Sequence, residues 1–218
     1  NFLSEDIPLE AEGYKICPDC GRKAVLLEEE SYFFRLSAYQ QALLDFYQSH
    51  PRFVRPPGRM NEVISFVRQG LKDLSITRTS VKWGIPVPGD PKHTIYVWFD
   101  AVIGYYSASL LWAEETGKDW KQYWYNKDAK HFYFMGKDNL IFHTIFWPGQ
   151  LMIKDKELHL PDLTSINMFL DYDGKKFSKS RGTSLGIGEM VNSFGSNAIR
   201  FYLVLNMPEV KDASFKWS

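Results

Sequence analysis

Two cysteines in 218 residues, Cys17 and Cys20, exclude a disulfide framework, because thiols this close together cannot staple a fold. An excess of charge of either sign is also missing: Lys plus Arg and Asp plus Glu both number 26. No global field therefore draws nucleic acid, and a local patch or another domain would have to hold it. No apolar run is long enough to span a bilayer. The opening, Asn1-Phe2-Leu3-Ser4-Glu5-Asp6, has neither the basic start nor the apolar stretch of a signal peptide. We expect a cytoplasmic protein with no membrane partner. Internal repeats and low-complexity linkers are absent as well.

Aromatic residues, by contrast, are abundant. Apolar residues make up 44% of the chain and aromatics 16%, with seven Trp, twelve Tyr and sixteen Phe. Most of these rings fill a core, but a chain this rich in them can also line a ligand pocket.

Residues 1–30 are mixed and charged, with Gly13, Pro18 and Gly21 breaking any periodicity, and read as an irregular, partly extended knuckle. Ser37-Ala38-Tyr39-Gln40 has the form of a capping box and predicts a helix to about His50, stopped by Pro51. A second helix is expected from about Met60 to Arg68, ended by Gly70. Three prolines keep 83–91 out of helix. Thr94-Ile95-Tyr96-Val97-Trp98-Phe99, β-branched and aromatic, reads as a buried strand ended by Asp100. A helix from Val102 to about Thr116 follows, closed by Gly117. His131–Met135 reads as a second strand, 139–153 as a helix kinked at Pro148, and Ser165–Leu170 as a third strand. Two helical segments fill 187–207, divided at Gly195, with Ser196 as N-cap.

Strand, helix, strand, helix, strand predicts an α/β fold with a doubly wound parallel sheet. Ligands of such sheets sit at the carboxyl ends of the strands. Those ends are expected at Asp100, at Gly136-Lys137-Asp138 and after Leu170.

The sharpest local feature is Asp173-Gly174-Lys175-Lys176-Phe177-Ser178-Lys179-Ser180-Arg181-Gly182. Asp-Gly favours a tight turn. The four cations and two hydroxyls behind it suit phosphate, which lysine ammonium groups, hydroxyls and loop amides bind together. A solvated basic loop is the plainer alternative.

Lys176-Phe177-Ser178-Lys179-Ser180 resembles the Lys-Met-Ser-Lys-Ser loop of class I aminoacyl-tRNA synthetases, with Phe in place of Met. Tyr96-Val97-Trp98-Phe99-Asp100-Ala101-Val102-Ile103-Gly104-Tyr105 and the stretch from Gly136-Lys137-Asp138 to Trp147-Pro148 are similar to methionyl-tRNA synthetases. So are Glu30-Ser31-Tyr32-Phe33-Phe34-Arg35-Leu36 and Trp83-Gly84-Ile85-Pro86-Val87-Pro88. Several colinear motifs are more specific than any one of them.

The resemblance implies a Rossmann-like class I catalytic fold, methionine and ATP-Mg as substrates, and tRNA as acceptor. It implies that Trp98, Ala101, Tyr105, Phe142 and His143 line a pocket for the methionine side chain, whose polarizable thioether suits aromatic walls. Core packing is the alternative for Trp98 and Phe142, and a satisfied helical histidine for His143. Family members often carry proline where this chain has Val102. Gly136 and Asp138 would sit beside the adenosine, although Asp138 could equally cap the next helix. Lys176 and Lys179 would stabilise the triphosphate, and Arg78 the carboxylate end of methionine; a surface ion pair is the alternative for Arg78.

Cys17-Pro18-Asp19-Cys20-Gly21 looks like one zinc knuckle, half of a tetrahedral site whose other ligands would lie upstream. The domain expectation is the end of a connective insertion at 1–36, the second half of the nucleotide-binding fold at 37–170, and the lysine loop with the start of a helical region at 171–218. None of His50, His93, His131, His143 and His159 stands in the His-Ile-Gly-His-type motif of the family. We therefore expect an N-terminal half in the same chain or a separate subunit, without which this piece is inactive. The rival readings are a class I enzyme for another amino acid, a nucleotidyltransferase of the same fold, and a non-catalytic binding module.

Overall fold

The structure, a computed structural model, describes residues 16, 23, 28–174, 177 and 186–216. Its strands and α-helices run in the order β1 (Phe33–Phe34), α1 (Gln40–Ser49), β2 (Val54–Arg55), α2 (Pro57–Arg68), β3 (Leu74–Ser75), β4 (Thr77–Arg78), β5 (Pro86–Val87) and β6 (Asp90–Ile95). They continue through α3 (Val97–Thr116), α4 (Lys121–Trp124), β7 (Phe132–Gly136), α5 (Trp147–Lys154), β8 (Leu163–Asn167), β9 (Leu170–Tyr172), α6 (Ile187–Phe194), α7 (Ser196–Leu205) and β10 (Ala213–Phe215). The chain divides into two compact units, one of 1–32 with Thr77–Ile95, the other of Phe33–Ile76 with Tyr96–Ser218.

The first unit is an antiparallel sheet in the order β4-β6-β5. Thr77 and His93 are buried in it. Asp90 accepts from the Tyr32 hydroxyl at 3.0 Å and from His93 Nδ1 at 2.8 Å, which holds its carboxyl below the usual range. Glu29 accepts from Ser80 N at 2.6 Å and from Thr79, and these bonds outweigh burial to bring its pKa down to about 2.

The second unit is built on a parallel sheet in the order β2-β8-β7. In β8 Thr164 and Ile166 are buried and their neighbours are not, the period-two pattern of a strand with one covered face. A helical crossover ending in α5 joins β7 to β8, as a parallel pair requires. Gly136 faces Asn167 in the last register pair, so the Gly136-Lys137-Asp138 turn leaves the sheet at its carboxyl edge. Leu43, Phe46, Tyr47, Phe53, Val63 and Ile145 pack on this sheet as one core cluster.

Several local expectations change. Thr94–Phe99 is not a strand. Extended structure stops at Ile95, and α3 begins at Val97 with Trp98, Phe99 and Asp100 already in it. The edge expected at Asp100 is therefore a first helical turn, where a carboxylate meets the positive end of the helix dipole. Moreover, β6 belongs to the antiparallel unit, so the parallel sheet gains β2 and loses that strand.

The capping box does not form either. Leu36–Tyr39 is a 3-10 turn, the Ser37 hydroxyl donates to Asp73 Oδ1 at 2.6 Å, and Gln40 Oε1 accepts from Leu71 N at 2.8 Å. Both side chains serve the return segment 71–73 instead of the helix start. Ser196 is the first helical residue of α7, and Gly195, at φ 77°, makes the break before it. Gly117 closes α3 as expected, left-handed at φ 69°. Asp173 and Gly174 both have positive φ, 48° and 74°, the signature of the tight turn expected from Asp-Gly.

Candidate active site

Helix α3 brings Trp98, Ala101 and Tyr105 to one face, since they recur at steps of three and four residues. The facing segment starts as a 3-10 turn at Lys137–Asn139 and widens to a π-helix at Phe142–Phe146 before α5. A kink at Pro148 is expected from sequence; the observed irregularity is the π-helical turn that precedes the proline. Pro148 has no amide hydrogen for the carbonyl four residues back, that of Thr144, and the buried Tyr47 hydroxyl donates to that carbonyl at 2.7 Å. Single π-turns of this kind occur often at functional sites.

The two segments meet through rings. Trp98 stacks on Phe142 with centroids 4.9 Å apart at 24°. Tyr105 Oη lies 2.8 Å from His143 Nε2, and His143 Nδ1 lies 3.1 Å from the Asn139 carbonyl. A carbonyl can only accept, so Nδ1 carries the hydrogen and Nε2 accepts from the tyrosine. Burial holds the His143 pKa below the usual histidine range against the pull of that carbonyl. The imidazole is thus neutral at neutral pH. Tyr133 packs edge-on to Tyr105 at 5.0 Å, and its oxygen accepts from Trp147 Nε1 at 3.0 Å. Burial pushes the Tyr133 hydroxyl up to about 12. The cluster is open on one side, where Trp98 is 48% and Tyr105 44% exposed. Val102 faces away, buried with Trp124 and Trp147, so this chain's departure from proline falls on the core side of α3.

At the sheet edge, Gly136 has φ −77° and ψ 159°, which any residue adopts, and no atom lies within 4 Å of where its Cβ would stand. Asp138 is exposed in the first turn of the 3-10 segment. Arg78 belongs to the antiparallel unit, where its Nη1 donates to the Thr77 carbonyl at 2.6 Å. Lys176, Lys179, Cys17 and Cys20 lie outside the described residues. Of the lysine loop, Phe177 is described: its ring is 5.9 Å from Tyr172, and with Leu170, Met190, Phe194 and Phe215 it lines an apolar cavity of about 290 Å³. Among the described residues no group of three or more His, Cys, Asp or Glu could hold a metal ion.

Sequence reasoning missed Asn139, whose carbonyl fixes the His143 tautomer, and its spacing of four from His143 was the available signal. It also missed Tyr133 and Trp147, which nothing in the sequence pairs.

A family model described as tRNA synthetases class I (M) matches residues 12–218. The chain belongs to this class I synthetase family. The methionine–tRNA ligase of Brucella suis biovar 1 is 43% identical over 214 residues, covering 98% of this chain and 40% of that protein. The Thermotoga maritima methionine–tRNA ligase is 40% identical over 215 residues, 98% of this chain and 33% of the relative. Among solved structures, Mycobacterium tuberculosis methionyl-tRNA synthetase bound by methionyl-adenylate superposes with a TM-score of 0.80 at 33% identity, covering 99% of this chain and 41% of that one. Its apo form gives 0.74 at 31% identity, over 98% and 40% of the two chains. The chain thus spans about two fifths of the first relative's length and shares the mixed α/β fold of the synthetase. Among the described residues no helix is long and apolar enough to cross a membrane.

Proposed function

We propose that this chain carries the methionine pocket and part of the ATP site of a methionine–tRNA ligase. Methionine carboxylate attacks the α-phosphorus of ATP and pyrophosphate leaves. The terminal ribose hydroxyl of tRNA then attacks the adenylate carbonyl and AMP leaves. Neither step needs a side-chain nucleophile, so positioning and charge stabilisation carry the catalysis.

The observation that carries this reading is the ring cluster of Trp98, Tyr105, Phe142 and His143, in a chain 33% identical to a synthetase bound by methionyl-adenylate. Trp98, Phe142 and Ala101 receive the thioether and its methylenes, which gain from contact with polarizable rings. Tyr105 and His143 bond each other, so neither presents an unsatisfied hydrogen-bonding group to an apolar side chain. Gly136 leaves room for the adenosine at the sheet edge, and Asp138 accepts from ribose hydroxyls. Lys176 and Lys179 meet the triphosphate.

Magnesium on the ATP phosphates, zinc on Cys17 and Cys20 with upstream ligands, and a cytoplasmic setting belong to the same proposal. So does the finer fold reading: the end of a connective insertion at 1–36, the second half of a doubly wound nucleotide-binding fold at 37–170, and the lysine-loop region at 171–218.

Methionine-dependent exchange of pyrophosphate into ATP by the full-length protein tests it. Trp98→Ala should raise the methionine KM by roughly 30-fold, the effect of about 2 kcal/mol of lost apolar contact. The ATP KM should stay nearly unchanged. Unaltered methionine KM and unaltered discrimination against leucine would make Trp98 a packing residue. Exchange with another amino acid but not methionine would move the protein to a different class I specificity.

A further inference from the structure

Between Gly136 and Asp138 stands Lys137. Its ammonium is 3.0 and 3.1 Å from the two carboxylate oxygens of Asp212 and 4.2 Å above the centre of the Phe169 ring. Asp212 Oδ1 also accepts from the Phe169 amide at 2.8 Å, and Ala213 N donates to the Phe169 carbonyl at 2.9 Å. Cation, carboxylate, ring and backbone therefore form one closed set.

An isolated surface ion pair contributes little, because two long side chains must be ordered to make it. This one differs in two respects. Asp212 is already fixed by a backbone amide, and the lysine is already seated on a ring, with only a quarter of its side chain exposed.

We propose that Lys137 is a positioning residue that ties the Gly136–Asp138 turn to the β9–β10 strand pair through Asp212 and Phe169. The proposal rests on the reading of Gly136 and Asp138 as the adenosine side of the ATP site. Phe169 leads directly into β9, and β9 leads through the Asp173-Gly174 turn towards Lys176 and Lys179. The clamp thus joins the stretch of chain that meets the adenosine to the one that meets the triphosphate. With both carboxylate oxygens on its ammonium, Lys137 is engaged by Asp212 instead of reaching for a phosphate.

Two measurements on the full-length protein decide the matter. In pyrophosphate exchange, Lys137→Met and Asp212→Ala should each lower kcat over KM for ATP by about fivefold, leave the methionine KM within about twofold, and in combination do no worse than Asp212→Ala alone, in which the lysine contact is already lost. Lys137→Arg should keep most of the activity. In hydrogen exchange, the Phe169 and Ala213 amides should lose protection in Lys137→Met. Additive single effects, unchanged protection, or a defect in Lys137→Met that Asp212→Ala does not share would overturn the proposal; the last result would make Lys137 a direct phosphate ligand. Absence of exchange by the unaltered protein would sink the ATP-site reading alone, and the amide protection would still report on the clamp.

Discussion

Glycine at position 136 meets no need of the fold itself. Its backbone is extended, at φ −77° and ψ 159°, and a Cβ there would touch nothing within 4 Å. Alanine at such a site normally stabilises, because it narrows the unfolded ensemble without straining the native one. Gly136→Ala should therefore raise stability by about 0.5 kcal/mol. If adenosine approaches this backbone, the same methyl group should weaken ATP. Thermal unfolding and the ATP KM should thus move in opposite senses. A lower melting temperature with an unchanged KM would show that the glycine is there for the fold. His143 makes the complementary point: its burial and its two partners, Tyr105 and Asn139, are as expected for a satisfied histidine, and they also hold the neutral imidazole that the proposed pocket would use.

Helix α3 shows how an element can be misread while the side chains named on it still share a face. Thr94 to Phe99 is rich in β-branched and aromatic residues, and β propensity describes a fit to a half-buried surface more than a backbone preference. Tyr96 is a poor cap, so no capping residue marked the helix start. Asp100 was the signal, an acidic residue in a first turn read as a strand end. A strand over Thr94–Phe99 would have left Trp98 and Tyr105 on different elements. The helix that begins at Val97 puts Trp98, Ala101 and Tyr105 on one face. The parallel pair β7 and β8 was legible from composition, but β2, two residues long, was not. No local pattern announces the π-turn, because it is stabilised from α1: the Tyr47 hydroxyl takes the carbonyl that Pro148 leaves without a donor. Tyr47→Phe keeps the ring and removes that donor, leaving a buried carbonyl unsatisfied. We expect a loss of about 2 kcal/mol in urea unfolding. A loss under about 0.5 kcal/mol would mean that the widened turn satisfies its own carbonyls.

Over the whole molecule the charges cancel, yet individual carboxylates are far from neutral partners. Asp162 joins the loop before β8 to the start of β7: Oδ1 accepts from Lys130 Nζ at 2.9 Å, and Oδ2 from His131 N at 2.9 Å and His159 Nε2 at 2.6 Å. Burial raises its pKa, but these bonds outweigh burial and bring it down to about 2. The folded value lies below the unfolded one, so protons favour the unfolded chain. The contribution of Asp162 is complete above about pH 4 and disappears as pH falls through about 2. A depression of this size corresponds to roughly 2 kcal/mol at neutral pH. His131 adds a separate slope with the same sign. Burial lowers its pKa, so the unfolded chain takes up a proton first as pH falls through the ordinary histidine range. Asp162→Asn should therefore be destabilised by roughly 2 kcal/mol at pH 7, retain the decline near pH 6, and lose the steep decline between about pH 4 and 2. Urea midpoints at pH 7, 5 and 3 would show this as two curves that converge only in acid. Curves that stay parallel to the lowest pH would assign the acid sensitivity to Glu29 in the antiparallel unit, the other carboxyl held down to about 2 among the described residues.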